Sequence, residues 1–376
     1  MATINLQTIS LGPEGGSSAK IEEGVTLSVT ANGSYTILPD EGYDAIADAK
    51  VNVNITTPVE TWTDTAGMKY AYSKVSSFPS SLSFAPRSGM QCYMMFEYAS
   101  ELTTAPMIDT SKCTSLQEMF FGCTNLLSVP QYDLSACESI KSTFFLCSAL
   151  TELPALNTSH VSSFENAFSN CSSLKNAPSL DITNGSNFLG MMQNCTSIKS
   201  IQNLFATETT KSNVDISSCF QYCTSLTFGS DMLGSLVEKA SNITGLFAGC
   251  TNLKSATAAT IGEWTINAKS TSTMFYNCSS LVQIPCLDMT KVTISTSSMF
   301  TGCTSLQLLY KGGLKNLSIS TVLSDCTALT HDSLVDLLNV IATVSTSTTL
   351  TLGSTNLAKL TDEEKAIATG KGWTLA

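Results

Sequence analysis

The chain has 376 residues, of which 13% are charged, and its formal net charge is −11 at pH 7. Because it contains no run of Lys or Arg, we exclude nucleic acid and anionic membranes as partners, since both are recognised through basic patches. The small charged fraction leaves neutral Ser, Thr and Asn side chains to cover most of the surface, which favours an extracellular or virion protein over a cytosolic enzyme.

We expect no targeting signal in the N-terminal sequence. It begins MATINLQTISLGPEGG, which has neither a basic region nor an apolar stretch. No apolar run in the chain approaches the roughly 18 residues that a membrane span needs. We therefore expect neither a secretory signal peptide nor a transmembrane helix.

Residues 1–58 are predicted to form a small all-β domain. Alternating apolar and polar residues predict strands at residues 25–30 and 49–55, and turn-forming residues occupy 31–35. Residues 59–89 are predicted to be a linker and N-terminal cap. We expect the small domain to attach the protein to an assembly.

A short motif recurs through residues 90–330. It consists of an aromatic residue, two variable residues, a cysteine, two small polar residues and a leucine, as in FFLCSAL at residues 144–150. The cysteine position is occupied by Ala99, Cys123, Cys147, Cys171, Cys195, Cys223, Cys250, Cys278, Cys303 and Cys326. Neighbouring positions are 24, 24, 24, 24, 28, 27, 28, 25 and 23 residues apart. Periods of about 20 to 29 residues are typical of leucine-rich repeats, so we predict an α/β solenoid of about ten coils.

Each repeat divides into three predicted parts. Leu150, Leu153 and Leu156 alternate with polar residues around Pro154, which predicts a strand of only two or three residues. An Asx turn should follow, because an Asp or Asn two residues before a hydroxyl can accept a bond from its own backbone. These turns are expected at Asp109, Asp133, Asn157, Asp181, Asp215 and Asp288. A short helical turn that starts at a Met-Phe or Ala-Phe pair should complete the coil.

The recurrent aromatic and cysteine positions are interpreted as core. Successive Phe side chains should stack as a ladder that fills the array. Equivalent residues of adjacent coils lie roughly 5 Å apart, too far for a disulfide, so we expect reduced, buried thiols. The predicted ladder contains the nine motif cysteines from Cys123 to Cys326 and seven phenylalanines: Phe120, Phe144, Phe168, Phe220, Phe247, Phe275 and Phe300.

No residue pattern predicts catalysis, a cofactor or a metal centre. His160 and His331 lie away from any Cys or carboxylate set with ligand spacing and are interpreted as turn or helix-start residues. Motifs for nucleophilic, phosphate-binding and zinc-protease sites do not occur. A calcium ladder along the Asp column is the alternative, but Asn157 interrupts it and glycine-rich ligand loops are missing. We therefore predict a non-enzymatic protein.

The repeats between Cys195 and Cys278 are three or four residues longer than the 24-residue repeats. Insertions in solenoids form loops on one face, often the binding face, although longer convex segments would also explain them. The inserted segments are residues 206–211, 230–240 and 256–264. The candidate ligand contacts in them are Lys211, Asp231, Glu263 and Trp264, of which Trp264 has the aromatic bulk that suits a sugar or a protein.

Residues 331–376 are predicted to be an α/β cap. Helical periodicity covers residues 331–342, and a strand covers residues 347–353. Thr361 should begin a second helix with a capping box, Gly370 should end it, and a final strand should follow.

The repeats resemble those of BspA-like leucine-rich repeat proteins. The unit CTNLLSVPQYDLSACESIKSTFFLC, residues 123–147, is similar to their pattern MFxGCxxLxxLPxLDTSxVxxMxxMF, and the resemblance covers about residues 90–330. Ala99, Met192 and Leu323 depart from the motif. The segment NGSYTILPDEGYDAIADAKVNVNI is similar to a module found ahead of such repeats in phage virion proteins, and LTDEEKAIATGKGWTLA resembles the cap that they share.

The resemblance implies adhesion or recognition, and it leaves two locations open. The first is a gut-bacteriophage virion, where a tail appendage or capsid fibre would recognise a host-surface glycan or protein. Residues 1–58 would then contact other virion proteins, and a homo-oligomer is expected. The alternative is a bacterial cell-surface leucine-rich repeat adhesin. The expected lack of a signal peptide favours the virion, because phage proteins assemble in the cytoplasm.

Overall fold

The structure is a computed structural model that describes residues 92, 96–107, 110–229, 233–256 and 262–376, together with the backbone of five short N-terminal strands. The chain divides into two compact units, unit 1 at Met1–Asn184 and unit 2 at Gly185–Ala376. No helix in these described stretches has the length and apolar content needed to cross a bilayer.

The N-terminal strands pair in parallel. They are β1 (Thr3–Ile4), β2 (Thr26–Ser28), β3 (Tyr35–Ile37), β4 (Asn52–Asn54) and β5 (Leu82–Phe84). One sheet has the order β1-β2-β4 and the other pairs β3 with β5. Strands β2 and β4 fall inside the strands predicted at residues 25–30 and 49–55. Apart from β1 to β4, the predicted small domain lies outside the described residues, so the domain itself stays a prediction.

The coils of unit 1 pair through isolated parallel bridges. Ser115, Ser139 and Ser163 bridge in series, and Thr104 bridges Ser128. The strand predicted around Leu150, Leu153 and Leu156 is wrong, because these residues form no strand. Pro154 in the same segment has no N–H to donate to a ladder.

Unit 2 has named strands and one inserted helix. In chain order these are β6 (Val214–Asp215), α1 (Leu233–Lys239), β7 (Ala240–Asn242), β8 (Glu263–Thr265), β9 (Gln283–Ile284), β10 (Cys286–Asp288), β11 (Leu308–Leu309), β12 (Leu314–Lys315) and β13 (Thr321–Val322). The parallel sheets are β6-β7, β8-β10-β12 and β9-β11. Strands β9 and β11 follow the motif leucine and are two residues long, the length that the sequence predicts.

The segment that carries the motif phenylalanine and cysteine is a series of tight turns, so the helical turn predicted there is wrong. Ser142 and Leu146 have φ angles of 51° and 63°, and left-handed residues four positions apart interrupt a helix. The backbone N–H groups alternate between two kinds of partner. The N–H of Cys147 donates to the carbonyl of Phe144 in its own coil (3.1 Å), whereas that of Phe144 donates to Ala167 in the next coil (2.9 Å).

Asx turns form at all five predicted positions that the structure describes. The backbone N–H two residues later donates to Oδ1 of the Asp or Asn at distances of 2.9, 3.3, 2.9 and 3.1 Å for Asp133, Asn157, Asp181 and Asp288. Asp109 lies outside the described residues. Asp215 forms such a turn with Ser217 (2.8 Å), but it bridges Asn187 and therefore belongs to a different column of turns.

Phenylalanine rings stack along the interior of each unit. In unit 1 the rings of Phe96, Phe120, Phe144 and Phe168 are separated by 5.4, 5.7 and 5.8 Å. In unit 2 those of Phe220, Phe247, Phe275 and Phe300 are separated by 5.5, 5.9 and 5.8 Å. Neighbouring rings are within 18° of parallel, and every side chain is at most 2% exposed. The ladder therefore forms the centre of the core.

The motif cysteines bind the preceding coil. The Sγ of Cys147 donates to the carbonyl oxygen of Phe120 (3.1 Å), and the same contact recurs from Cys171 to Phe144 (3.0 Å). That carbonyl already accepts an N–H from its own turn, so the thiol occupies the second lone pair. Burial raises the pKa of Cys223 to about 12 and holds that of Cys147 well above its usual value. These thiols are consequently protonated at neutral pH.

One disulfide departs from the prediction of reduced thiols. Cys92 and Cys113 are bonded, with Cα atoms 6.2 Å apart, and the other twelve cysteines are free and buried. The sequence argument fails for this pair because it considers equivalent positions only. Cys92 donates its N–H to Ser115, next to Leu116, so it does not occupy the position that Cys113 occupies in the following coil.

We expect twelve protected thiols and one disulfide in solution. The native protein should react slowly with a thiol reagent, because the thiols are buried and protonated. Unfolding without reductant should expose twelve reactive thiols, and reduction should raise the number to fourteen. Labelling followed by mass spectrometry measures both numbers. Rapid labelling of the folded chain, or several native disulfides, would contradict the buried cysteine ladder.

The C-terminal cap contains α2 (His331–Val340), β14 (Thr348–Thr351), α3 (Gly353–Leu357), α4 (Asp362–Thr369) and β15 (Trp373–Leu375), with sheet order β13-β14-β15. His331 begins α2, as predicted, and its Nε2 lies 2.9 Å from Glu364. The predicted capping box at Thr361 forms, and Gly370 ends the helix. Helix α3 was not predicted. His160 is exposed in a turn, with Nδ1 3.2 Å from Ser159.

Candidate recognition surface

Trp264 belongs to the core, which corrects its assignment as a ligand contact. The residue lies in β8 and is 2% exposed. The inserted segment expected to be a loop contains α1, whose apolar face is buried. A Cβ built on Gly234 of α1 would lie 3.2 Å from Cδ1 of Trp264, so the helix packs closely over the indole. The insertion therefore covers the tryptophan instead of presenting it.

The other predicted contacts do not converge on one site. Glu263 is exposed, but its carboxylate is 2.7 Å from Nζ of Lys315, so the two charges offset each other. Lys211 is exposed, and its backbone N–H donates to Oγ1 of Thr209. No hydrogen bond or ion pair between described residues joins Lys211 to Glu263 or Trp264. Asp231 lies outside the described residues.

A row of bridged residues in unit 2 forms a surface that the sequence analysis did not identify, although Ser255 within the row is buried. Parallel bridges join Ser200, Phe228, Ser255 and Gln283 in succession, and Gln283 pairs with Leu308. The preceding residues are linked in the same order. The N–H of Thr227 donates to the carbonyl oxygen of Lys199 (3.1 Å), and that of Lys254 donates to the carbonyl oxygen of Thr227 (2.8 Å). In the same way, Val282 donates to Lys254 (3.0 Å) and Gln307 donates to Val282 (2.9 Å).

We call these ten residues the strand face. It combines exposed apolar groups with positive charge. Phe228 is 42% exposed, Val282 37% and Leu308 39%. Lys199 and Lys254 are exposed and form no ion pair with another described residue. None of the ten side chains carries a negative charge, although the chain as a whole has 30 acidic and 19 basic residues.

The strand face is held on a rigid support. Each strand follows a buried apolar residue at the motif leucine position; these residues are Ile198, Leu226, Leu253, Leu281 and Leu306. Behind Phe228 the coils approach closely at Gly229, where a Cβ would lie only 1.8 Å from the carbonyl oxygen of Ala256. Loop residues supported in this way keep a fixed spacing, which is what recognition of an extended ligand requires.

The described part of the chain offers no metal centre. No group of three or more His, Cys, Asp and Glu side chains lies close enough there to bind an ion. The available chemistry of the strand face is therefore stacking, hydrogen bonding and charge pairing.

A known protein family matches the repeat region of the chain. The family described as "Mycoplasma protein of unknown function, DUF285" matches residues 90–205 and again residues 187–311. Together the matches span more than half of the chain. The chain belongs to the DUF285 family. The DUF285 region contains both stacks of phenylalanine and the whole strand face. No curated protein matches the chain.

Two solved structures are similar to this DUF285 protein at low identity. A leucine-rich repeat protein from Bacteroides ovatus is 18% identical over 65% of this chain and 75% of its own, with a TM-score of 0.26. A leucine-rich cell surface protein from Faecalibacterium prausnitzii is 14% identical over 76% of this chain and 87% of its own, with a TM-score of 0.23.

Proposed function

We propose that the chain is a non-enzymatic recognition protein displayed on a bacterial cell surface, which binds its ligand through the strand face. The observation that carries this proposal is the row of exposed Phe228, Val282 and Leu308 beside two lysines without ion-pair partners. Exposed apolar groups on one row of neighbouring strands mark interaction surfaces more often than isolated ones do. A repeated array supports this use because each coil extends the same surface.

The cell-surface location is supported by two features of the chain. The Cys92–Cys113 disulfide is of a kind that persists outside the reducing cytosol. The accessible part of the repeats is rich in Ser, Thr and Asn, which keep it soluble without a high charge density. These features fit the adhesin that the BspA-like resemblance implies.

A phage virion appendage is the second candidate, and the similarity of residues 32–55 to a virion module favours it. In that case residues 1–58 would contact neighbouring virion proteins and the chain would form a homo-oligomer. Antibodies against the chain separate the two locations. A surface adhesin should be detected on intact producing cells, whereas a virion component should sediment with phage particles.

Binding of the fluorescently labelled full chain to intact cells tests the role of the strand face. We expect the double variant Phe228→Ala/Leu308→Ser to bind at least fivefold more weakly, because both side chains are exposed there. Ile294→Ser is the matched control, since Ile294 is 70% exposed but lies outside the strand face. Equal binding by the wild type and the double variant would exclude this face as the contact surface.

A further inference from the structure

We propose that the ligand of the strand face is an acidic saccharide, a uronic-acid polymer carried on another cell's surface. This inference rests on the proposed function and specifies the ligand class. Three properties of the face carry it: two lysines without ion-pair partners, an exposed aromatic ring between their strands, and hydrogen bonds that already join the backbones of successive strands.

The charge of the strand face is opposite to that of the whole chain. The protein has a net charge of −11, yet the face carries Lys199 and Lys254 and no carboxylate. Lys315, by comparison, is paired with Glu263 at 2.7 Å. Local positive charge in an acidic protein attracts an anionic ligand while the rest of the surface repels it. The face therefore selects for negative charge.

The spacing of these groups suits a chain of sugars. Lys199 and Lys254 stand on strands that flank the strand of Phe228, as the bonds through Thr227 show. Adjacent strands are about 4.8 Å apart, so the two lysine backbones are roughly 10 Å apart. An oligosaccharide lying across the strands would place one ring over Phe228 and its carboxylates on either side.

Neighbouring groups match the remaining chemistry of a sugar. The ring of Phe228 offers an apolar surface on which the C–H face of a pyranose can stack. Ser200 is exposed on the preceding strand, and Gln283 is half-buried two strands further on. Hydroxyl and amide groups are the usual partners of sugar hydroxyls in binding sites with few charges.

An acidic peptide fits this face less well. Extended peptides commonly bind a sheet by adding a strand to its edge, which requires free backbone N–H and C=O groups. At the centre of the strand face the N–H of Thr227 already donates to the carbonyl oxygen of Lys199, and the carbonyl oxygen of Thr227 already accepts from Lys254. A peptide would have side-chain contacts alone. A saccharide does not bind by strand pairing, so the engaged backbone groups do not weaken its binding.

Titration of the full chain with a tetra-galacturonate, followed by NMR or calorimetry, tests the proposal. We expect binding that weakens as salt is raised, since exposed ion pairs are screened. A neutral oligosaccharide of the same length should bind at least tenfold more weakly. The double variant Lys199→Gln/Lys254→Gln should lose about tenfold in affinity for the acidic oligosaccharide, and Phe228→Ala at least fivefold.

The matched control is Lys269→Gln/Lys291→Gln, which removes the same charge from exposed residues outside the strand face. Its affinity should stay within twofold of the wild type, and the melting temperatures of all variants should agree. Equal loss in both double variants would mean that net charge alone acts and would overturn the proposal. So would equal binding of the neutral oligosaccharide or of oligo-glutamate. If saccharides fail to bind while Phe228→Ala/Leu308→Ser still weakens cell binding, the proposed function stands and the ligand class is wrong.

Discussion

Replacing Phe144 by Ala is expected to lower the free energy of unfolding by about 3 to 5 kcal/mol, the usual cost of removing a buried phenylalanine. The ring is 2% exposed and stacks on Phe120 and Phe168 at 5.7 and 5.8 Å. Truncation leaves a gap between two rings that cannot close, because the spacing of the coils is fixed by their backbone hydrogen bonds. Chemical denaturation measures the change.

Phe145→Ala is the control for this prediction. Phe145 also stacks, at 4.8 Å from Phe121, but its side chain is only half-buried on the outside of the coil. Water can fill the space that the ring leaves, so we expect a loss of no more than about 1.5 kcal/mol. Equal losses from Phe144→Ala and Phe145→Ala would show that the inner ladder is not the centre of the core.

Replacing Gly229 by Ala is expected to cost about 3 kcal/mol or more, the upper range for overpacking a core. The added Cβ would lie 1.8 Å from the carbonyl oxygen of Ala256 and 2.5 Å from its carbonyl carbon. These atoms are backbone, so relief requires the two coils to move apart. Thermal unfolding measures the shift in melting temperature.

Gly262→Ala provides the comparison within the same unit. A Cβ at Gly262 has no other atom within 4 Å, so its effect should remain within about 0.5 kcal/mol. A neutral Gly229→Ala would show that the coils behind Phe228 are not in close contact. The strand face would then lack the rigid support that this contact provides.

The repeat and its core could be predicted because they depend on period alone. Phe144, Phe168 and their counterparts recur at fixed distances from a cysteine, and a residue repeated in every coil must occupy the same place in each. The capping box at Thr361 was predictable for a similar reason, since both partners lie within four residues. Local and periodic patterns identify such features without knowledge of contacts.

The tight turns were missed although the sequence carries a signal for them. The residue before the motif cysteine has positive φ in nine coils. Six of these residues are Gly or Asn, which adopt that conformation most readily. The residues are Tyr98, Gly122, Leu146, Asn170, Asn194, Tyr222, Gly249, Asn277 and Gly302. The Met-Phe pair suggested a helix, but the Gly and Asn preference is the more direct indicator of backbone conformation.

The strand face could not be predicted from the sequence, because it depends on the register between coils of unequal length. Lys199 and Lys254 are 55 positions apart, across coils of 28 and 27 residues. The bonds through Thr227 and the bridges through Phe228 show that they flank one strand. Trp264 was misplaced for the same reason, since nothing local indicates that residues 233–239 form a helix over it. The Cys92–Cys113 bond likewise joins unlike positions.

The direction of the hydrogen bonds between coils has a mechanical consequence. Within each unit these bonds run along the direction in which coils stack, as from Phe120 to Thr143 and from Phe144 to Ala167. A pull along that direction stretches one interface at a time, so successive coils would peel away at low force. A pull across it shears all bonds of an interface together and meets much greater resistance. The angle at which tension reaches the stack therefore sets how long the fold survives under load.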